Sequence, residues 1–138
     1  MIRFFRNLTL VEWLVIAAVI ITLGTFAVDE VRAHFANQRG ATDAQRDIAA
    51  GEFNFRIGGR PRMWYSETAK VFRDRFGANL IRSHYCCPTG EQLNYDSAYN
   101  DVMSSALAPR ISGFTFHDAY NEADEKGRKQ MQARLAGP

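Results

Sequence analysis

Residues 8–28 read LTLVEWLVIAAVIITLGTFAV, a stretch of 21 residues that holds one charged side chain, Glu12, and no proline. As an α-helix this stretch would be about 31 Å long, which matches the hydrocarbon thickness of a bilayer. A helix of this length in a soluble protein would carry a polar face, and residues 13–28 have none. The stretch therefore predicts a single transmembrane helix, and the membrane lipid bilayer is a predicted partner of the chain.

The rest of the chain is polar and is expected to fold outside the lipid. Because Arg3, Arg6 and Glu12 precede residue 29, residues 29–138 carry 15 Arg or Lys and 14 Asp or Glu. This balance argues against a nucleic-acid-binding domain, which usually has a large basic excess on one face. We expect a basic flank at residues 1–7, the span at 8–28, a helical extension and linker at 29–42, a small domain at 43–135, and a tail at 136–138.

The predicted fold class is α+β, mostly α, with one or two short strands beside the helices. Phe53, Phe55 and Ile57 alternate with polar residues, which predicts a half-buried strand over residues 52–57. Residues 79–85 predict a second strand or an extended link. Three or four helices are expected in the rest of the domain.

The first helix signals of the domain follow the span closely. We expect the anchor helix to loosen at residues 38–40, where Gly40 stands, and a short helix to begin at Thr42 or Asp43. Ser66 is expected to cap the next helix, and Gly77 to end it.

Two further helices are predicted in the second half of the domain. Thr89 followed three residues later by Gln92 forms a capping box, which opens a helix that ends before Pro109. A last, charged helix runs to about residue 135. Gly127 is expected to weaken that helix by about 1 kcal/mol relative to alanine.

The residues that flank the span predict its orientation. Arg3 and Arg6 precede it, and Asp29 and Glu30 follow it directly. Because basic residues favour the cytoplasmic side, the N-terminus is expected in the cytoplasm and the domain outside it, on the cell (inner) membrane. A span of this length favours an uncleaved signal anchor over a cleaved signal peptide.

The run from Thr9 to Glu12, followed by WLVIAAVIITL, resembles the N-terminal helix of type IV pilins and pseudopilins. In that family a basic leader is cleaved and a glutamate stands fifth in the mature chain; cleavage between Asn7 and Leu8 would place Glu12 fifth. Asn7 stands where the family has glycine, and the resemblance covers residues 8–28 only. It implies assembly through that helix, with Glu12 paired to the amino terminus of a neighbouring subunit. The residues alone also allow an interfacial Glu12 that reaches for water.

The two cysteines of the chain, Cys86 and Cys87, are adjacent and follow His84 closely. Adjacent cysteines cannot bridge distant elements of a secreted domain, so they are expected either as thiols packed at a turn or as a redox pair or intermolecular bridge. Structural zinc sites take ligand pairs at two places along a chain, and that pattern is absent. We therefore expect no cofactor and no metal, and His84, Cys86 and Cys87 are only weak metal candidates.

Candidates for catalysis are few. His84 and Cys86 fall on the same side of the possible second strand, but the sequence shows no oxyanion-hole loop beside such a pair. We expect no catalytic residue and no enzymatic activity.

A surface-contact candidate lies in the loop after the first predicted strand, formed by Arg60, Arg62, Trp64 and Tyr65. Such a cluster suits anionic lipid headgroups or an acidic face of a partner. The alternative is a solvated loop with packed aromatic rings.

The leading prediction for function is a membrane-tethered, extracytoplasmic accessory or protein-interaction module without catalytic activity. Its partner would be another membrane or periplasmic protein and not a nucleic acid, and its oligomeric state is left open. The alternatives are a pilin-like subunit assembled through residues 8–28 and a thiol redox protein that uses Cys86 and Cys87.

Overall fold

The computed structural model describes residues 9–60, 62–84 and 86–137. The predicted basic flank and the implied cleavage point between Asn7 and Leu8 lie outside the described residues. The order of elements is α1 (Leu10–Ala49), β1 (Asn54–Gly58), α2 (Tyr65–Phe76), β2 (Asn79–His84), α3 (Gly90–Leu107) and α4 (Phe116–Ala136). This mostly helical α+β architecture confirms the predicted fold class.

Helix α1 is one uninterrupted helix of 40 residues, about 60 Å long at 1.5 Å per residue. The predicted loosening at residues 38–40 and the new helix start at Thr42 or Asp43 are therefore wrong. Gly40 is buried inside the helix, because a Cβ atom there would lie 2.3 Å from the carbonyl oxygen of Tyr95 in α3. The glycine permits close contact between two helices and does not end one.

The two parts of α1 have different surroundings. From residue 10 to residue 35 every side chain is exposed except Ile16 and Ala33, which are half-buried. This part contains a segment long and apolar enough to cross a membrane. Beyond it Ala36, Gly40 and Ala44, one turn apart, are buried. The apolar part of α1 therefore projects from the domain, and the second part belongs to its core.

Three polar contacts join α1 to α3, and in each of them the two partners are 52 residues apart. The contacts pair Arg39 with Glu91, Asp43 with Tyr95, and Asp47 with Tyr99. Each step is one turn further along both helices, so α1 and α3 run parallel. This ladder fixes the register between them.

Strands β1 and β2 form a two-stranded parallel sheet, joined through α2 as a βαβ unit. Ile57 pairs with Arg82, and Gly58 with His84. On the other edge of β1, the side-chain amide of Asn100 bonds both the N–H and the carbonyl of Arg56 at 2.8 Å. That edge is thereby closed to another strand. The first predicted strand is confirmed, and of the two alternatives for residues 79–85 the structure shows the strand.

Helices α2 and α4 cover one face of the sheet with aromatic rings. The ring of Phe55 stacks on Phe116 with centroids 4.8 Å apart, and contacts Phe72 at 5.6 Å and Phe114 at 5.7 Å. Arg56, the next residue of β1, points to the opposite face, against α3. The sheet therefore separates an apolar side from a polar side.

The start of α3 agrees with its sequence signal, and the start of α2 does not. Thr89 and Gln92 form the predicted capping box of α3. Helix α2 begins after Trp64 with no side-chain cap, and the Ser66 hydroxyl bonds the Glu67 carboxylate at 2.6 Å. The predicted cap at Ser66 is wrong because that residue lies inside the first turn.

Gly127 is buried where α4 crosses α2. A Cβ atom on it would lie 2.6 Å from the backbone nitrogen of Thr68. The expected weakening of α4 considered only the intrinsic helix preference, and this contact between helices outweighs it.

Candidate interaction site

The carboxyl ends of β1 and β2 meet at Gly58 and His84, and a cleft opens there on each face of the sheet. Ligand sites in folds with parallel strands usually lie at these ends. The "polar cleft", of about 410 Å³, is lined by Arg39, Arg56, Ser83, His84, Thr89, Glu91, Gln92, Tyr95 and Asp96. The "arginine groove", of about 460 Å³, is lined by Arg56, Ile57, Gly58, Gly59, Arg60, Arg62, Tyr65, Arg82, Phe116, Tyr120 and Asp124.

A hydrogen-bonded network of Ser83, His84 and Asp96 lies at the base of the polar cleft. The Ser83 hydroxyl lies 2.9 Å from Nδ1 of His84 and donates to Asp96, whose Oδ2 is 3.5 Å from the same Nδ1. The side chains of His84 and Asp96 are only 9% and 12% exposed. A catalytic serine and its supporting carboxylate would face opposite ring nitrogens. This network therefore ties β2 to α3 and does not activate Ser83.

Arg56 closes the polar cleft on the α3 side. Its guanidinium carbon lies 4.8 Å and 4.7 Å from the ring centres of Tyr95 and Tyr99, and its buried Nε has no hydrogen-bond partner among the described residues. Burial, with the bond to Asp43, raises the pKa of Tyr95 to about 12, and burial with the bond to Asp47 raises the pKa of Tyr99 as well. Both phenols stay protonated at neutral pH, so the cation rests on neutral ring faces.

The arginine groove contains three of the four residues predicted as a surface contact: Arg60, Arg62 and Tyr65. The fourth, Trp64, lies beside it and donates from Nε1 to Oδ1 of Asp124 at 2.9 Å. Arg62 forms an ion pair with the same carboxylate, whose side chain is 14% exposed. Asp124 is therefore engaged by two donors.

Residues from distant parts of the chain complete the groove. Arg82 lies with its guanidinium carbon 4.3 Å from the ring centre of Tyr65, whose hydroxyl donates to the carbonyl of Leu80 at 2.9 Å. Burial and the nearby Asp124 carboxylate raise the pKa of Tyr120, so its phenol stays protonated. Sequence reasoning missed Arg82, Tyr120 and Asp124. Of these three residues, only Arg82 has a signal in the sequence: the alternation along β2 places Leu80 and Arg82 on one face.

The adjacent cysteines lie on the loop after β2. Cys86 and Cys87 are both exposed thiols, and Cys87 has a backbone φ of +31°, which L-residues rarely adopt. The expected packing of the pair at the turn is wrong. Nδ1 of His84 lies beside Ser83 and Asp96. A redox role of the pair stays a prediction.

His84, Cys86 and Cys87 are only weak metal candidates from the sequence. Within residues 9–60, 62–84 and 86–137, no group of three or more His, Cys, Asp or Glu side chains is arranged to hold a metal ion.

Glu12 belongs to a capping box at the start of α1. The Thr9 amide donates to its carboxylate at 2.6 Å, and the Glu12 amide donates to the Thr9 hydroxyl at 3.4 Å. Thr9 and Glu12 have the same spacing as Thr89 and Gln92, so this helix start also has a signature in the sequence. The assembly role implied for Glu12 stays a prediction.

Comparison with known proteins gives no match for this chain: no family model, no curated protein and no solved structure is similar to it.

Proposed function

We propose that this chain is a membrane-tethered, extracytoplasmic interaction module without catalytic activity. The observation that carries the proposal is the continuity of α1, whose apolar part is exposed and whose second part is buried in the domain. Exposed apolar surface of this length is unfavourable in water and favourable in lipid.

The continuity of α1 also supports a defined position of the domain above the bilayer. Core burial begins at Ala36, eight residues after Val28, which corresponds to about 12 Å along a helix. A helix does not act as a flexible linker, so the domain stays near the membrane surface. The domain would contact a partner at a fixed distance from the bilayer surface, which suits another membrane or periplasmic protein.

Alkaline extraction of membranes that contain the full-length chain tests the anchor. We expect the wild type to stay in the membrane pellet, and Val19→Arg with Ile20→Arg to release the chain, because each mid-span arginine costs about 3 kcal/mol on insertion scales. The matched control, Leu135→Arg, changes an exposed apolar residue outside the span and should stay in the pellet. Release of the wild type would contradict the proposal.

A pilin-like subunit is the second candidate. It is favoured by the projecting part of α1, whose exposed apolar surface is available to other copies of the chain. Sequencing the mature N-terminus separates the two candidates. A chain that begins at Leu8 supports assembly after processing, and a chain that begins at Met1 removes the main support for it.

A further inference from the structure

We infer that the arginine groove binds an acidic segment of a partner protein. This inference rests on the proposed interaction function and specifies the chemistry of the partner. Four arginines line the groove; the guanidinium of Arg56 lies against Tyr95 and Tyr99, which leaves Arg60, Arg62 and Arg82 against one carboxylate, Asp124. The groove is therefore locally basic, although residues 29–138 are nearly balanced in charge.

The internal contacts leave part of this positive charge uncompensated. Asp124 is already engaged by Arg62 and by Nε1 of Trp64. Arg60 is exposed, and the structure pairs it with no carboxylate among the residues it describes. Guanidinium groups present paired N–H donors that match the two oxygens of a carboxylate. A carboxylate that enters the groove would meet such donors without displacing Asp124.

The shape of the groove admits an extended chain. Gly58 and Gly59 form one wall, and Gly59, with φ +99°, has open space where a side chain would stand. At Gly58 the imidazole of His84 occupies the position of a side chain, so a partner backbone can approach the wall closely only at Gly59. The volume of about 460 Å³ suits a few side chains and not a folded surface.

The position of the groove favours a protein partner over the bilayer. A series of contacts connects the groove wall to α1. Gly58 pairs with His84, and His84 contacts Asp96 of α3. The residue before Asp96, Tyr95, bonds Asp43 of α1. Asp43 lies 15 residues after Val28, about 22 Å along the helix. The headgroup layer is only about 5–7 Å thick, and charges in physiological salt are screened over about 8 Å. An extended polyanion such as nucleic acid would require a basic field across a whole face, and the domain is nearly neutral.

The test uses the full-length chain in nanodiscs of phosphatidylcholine and a fluorescent oligoglutamate peptide, with an oligoglutamine peptide as the neutral comparison. Fluorescence anisotropy measures the affinity. We expect the glutamate peptide to bind with an affinity that falls as the salt concentration rises. The glutamine peptide should not bind. Arg60→Gln should weaken binding about threefold, and Arg60→Gln with Arg82→Gln about tenfold.

The controls remove the same charge from exposed arginines elsewhere. Arg128→Gln, alone and with Arg46→Gln, should leave the affinity within about twofold of the wild type. Equal losses in groove and control variants would overturn the inference, because net charge alone would then explain binding. Absence of binding by the wild type would also overturn it and would leave the membrane anchor untouched.

A second arm separates the protein partner from lipid. Nanodiscs that contain phosphatidylglycerol present anionic headgroups at the same ionic strength. If the groove stands above the headgroups, peptide affinity should change by less than about twofold. The inference would be overturned if peptide binding were lost in discs rich in phosphatidylglycerol and returned as the fraction of that lipid was lowered. The groove would then bind anionic headgroups in preference to the peptide.

Discussion

The hydroxyl of Tyr95 in α3 donates to the carboxylate of Asp43 in α1 at 2.6 Å. This bond is the central step of the parallel α1–α3 ladder, between Arg39–Glu91 and Asp47–Tyr99. It lies within one turn of Gly40, where an added Cβ atom would lie 2.3 Å from the carbonyl oxygen of Tyr95. Asp43 and the apolar segment belong to the same helix, so this contact connects the apolar segment to the domain core.

Alkaline pH should destabilise the α1–α3 contact through Tyr95. Its pKa is raised from 10.0 to about 12 in the folded chain, so the protonated phenol stabilises the fold below pH 10 and that contribution is lost as pH rises through about 12. Tyr95→Phe should lower the free energy of unfolding by about 1–2 kcal/mol at neutral pH. Between pH 10 and 12 the free energy of unfolding should fall less in this variant than in the wild type. Thermal unfolding in detergent at several pH values measures both effects. An unchanged pH dependence in the variant would contradict this role.

Gly40→Ala should separate the two helices. The added Cβ would lie 2.3 Å from a backbone carbonyl that cannot rotate away, so we expect a loss of about 3 kcal/mol in the free energy of unfolding. Gly90→Ala is the matched control, because its Cβ would meet nothing within 4 Å, and it should change stability by less than about 1 kcal/mol. Chemical denaturation of the two variants measures the difference. A neutral or stabilising Gly40→Ala would restore the helix break at residues 38–40.

The sequence was informative where structure depends on neighbouring residues. The apolar span, the alternation of Phe53, Phe55 and Ile57, and the capping box of Thr89 and Gln92 are local patterns, and each corresponds to the element it predicts. Gly40 was misjudged because its role depends on Tyr95, which is 55 positions away. A glycine in a helix and a glycine that ends one look the same until the partner helix is known.

The candidate site was predictable only in part for the same reason. Arg60, Arg62 and Tyr65 are close in sequence and line one groove. Asp124 and Arg82 join them through the packing of α4 on α2 and the pairing of β2 with β1, which no local pattern encodes. Arg56 is close to Arg60 and Arg62 in sequence, but strand alternation turns its guanidinium to Tyr95 and Tyr99.

Exposed thiols make the orientation of the domain measurable. Cys86 and Cys87 are the only cysteines of the chain, and both are exposed. With a reductant present, a membrane-impermeant maleimide should label both in intact spheroplasts, because the domain is expected outside the cytoplasm. Arg3→Cys in a Cys86→Ser, Cys87→Ser background is the control and should react only after lysis. Labelling of the native pair only after lysis would reverse the predicted orientation.

Glu12→Gln distinguishes the capping role from the assembly role. Glutamine preserves the capping box, so membrane insertion and the distribution of oligomers should stay within error of the wild type. Thr9→Ala removes the cap itself and should cost about 1 kcal/mol of helix stability. Cross-linking in membranes measures the oligomers. A loss of higher oligomers in Glu12→Gln alone would support a charged contact between subunits.

The central claim is that α1 passes as one helix from lipid into the domain. Spin labels at Val28→Cys and Arg46→Cys, in a background without the native cysteines, test it most directly by pulsed dipolar spectroscopy in nanodiscs. Both positions are exposed, and 18 residues of helix place them on one face about 27 Å apart. We predict a narrow distance distribution near that value. A broad distribution, or one centred well below it, would show a hinge between anchor and domain and would contradict the account.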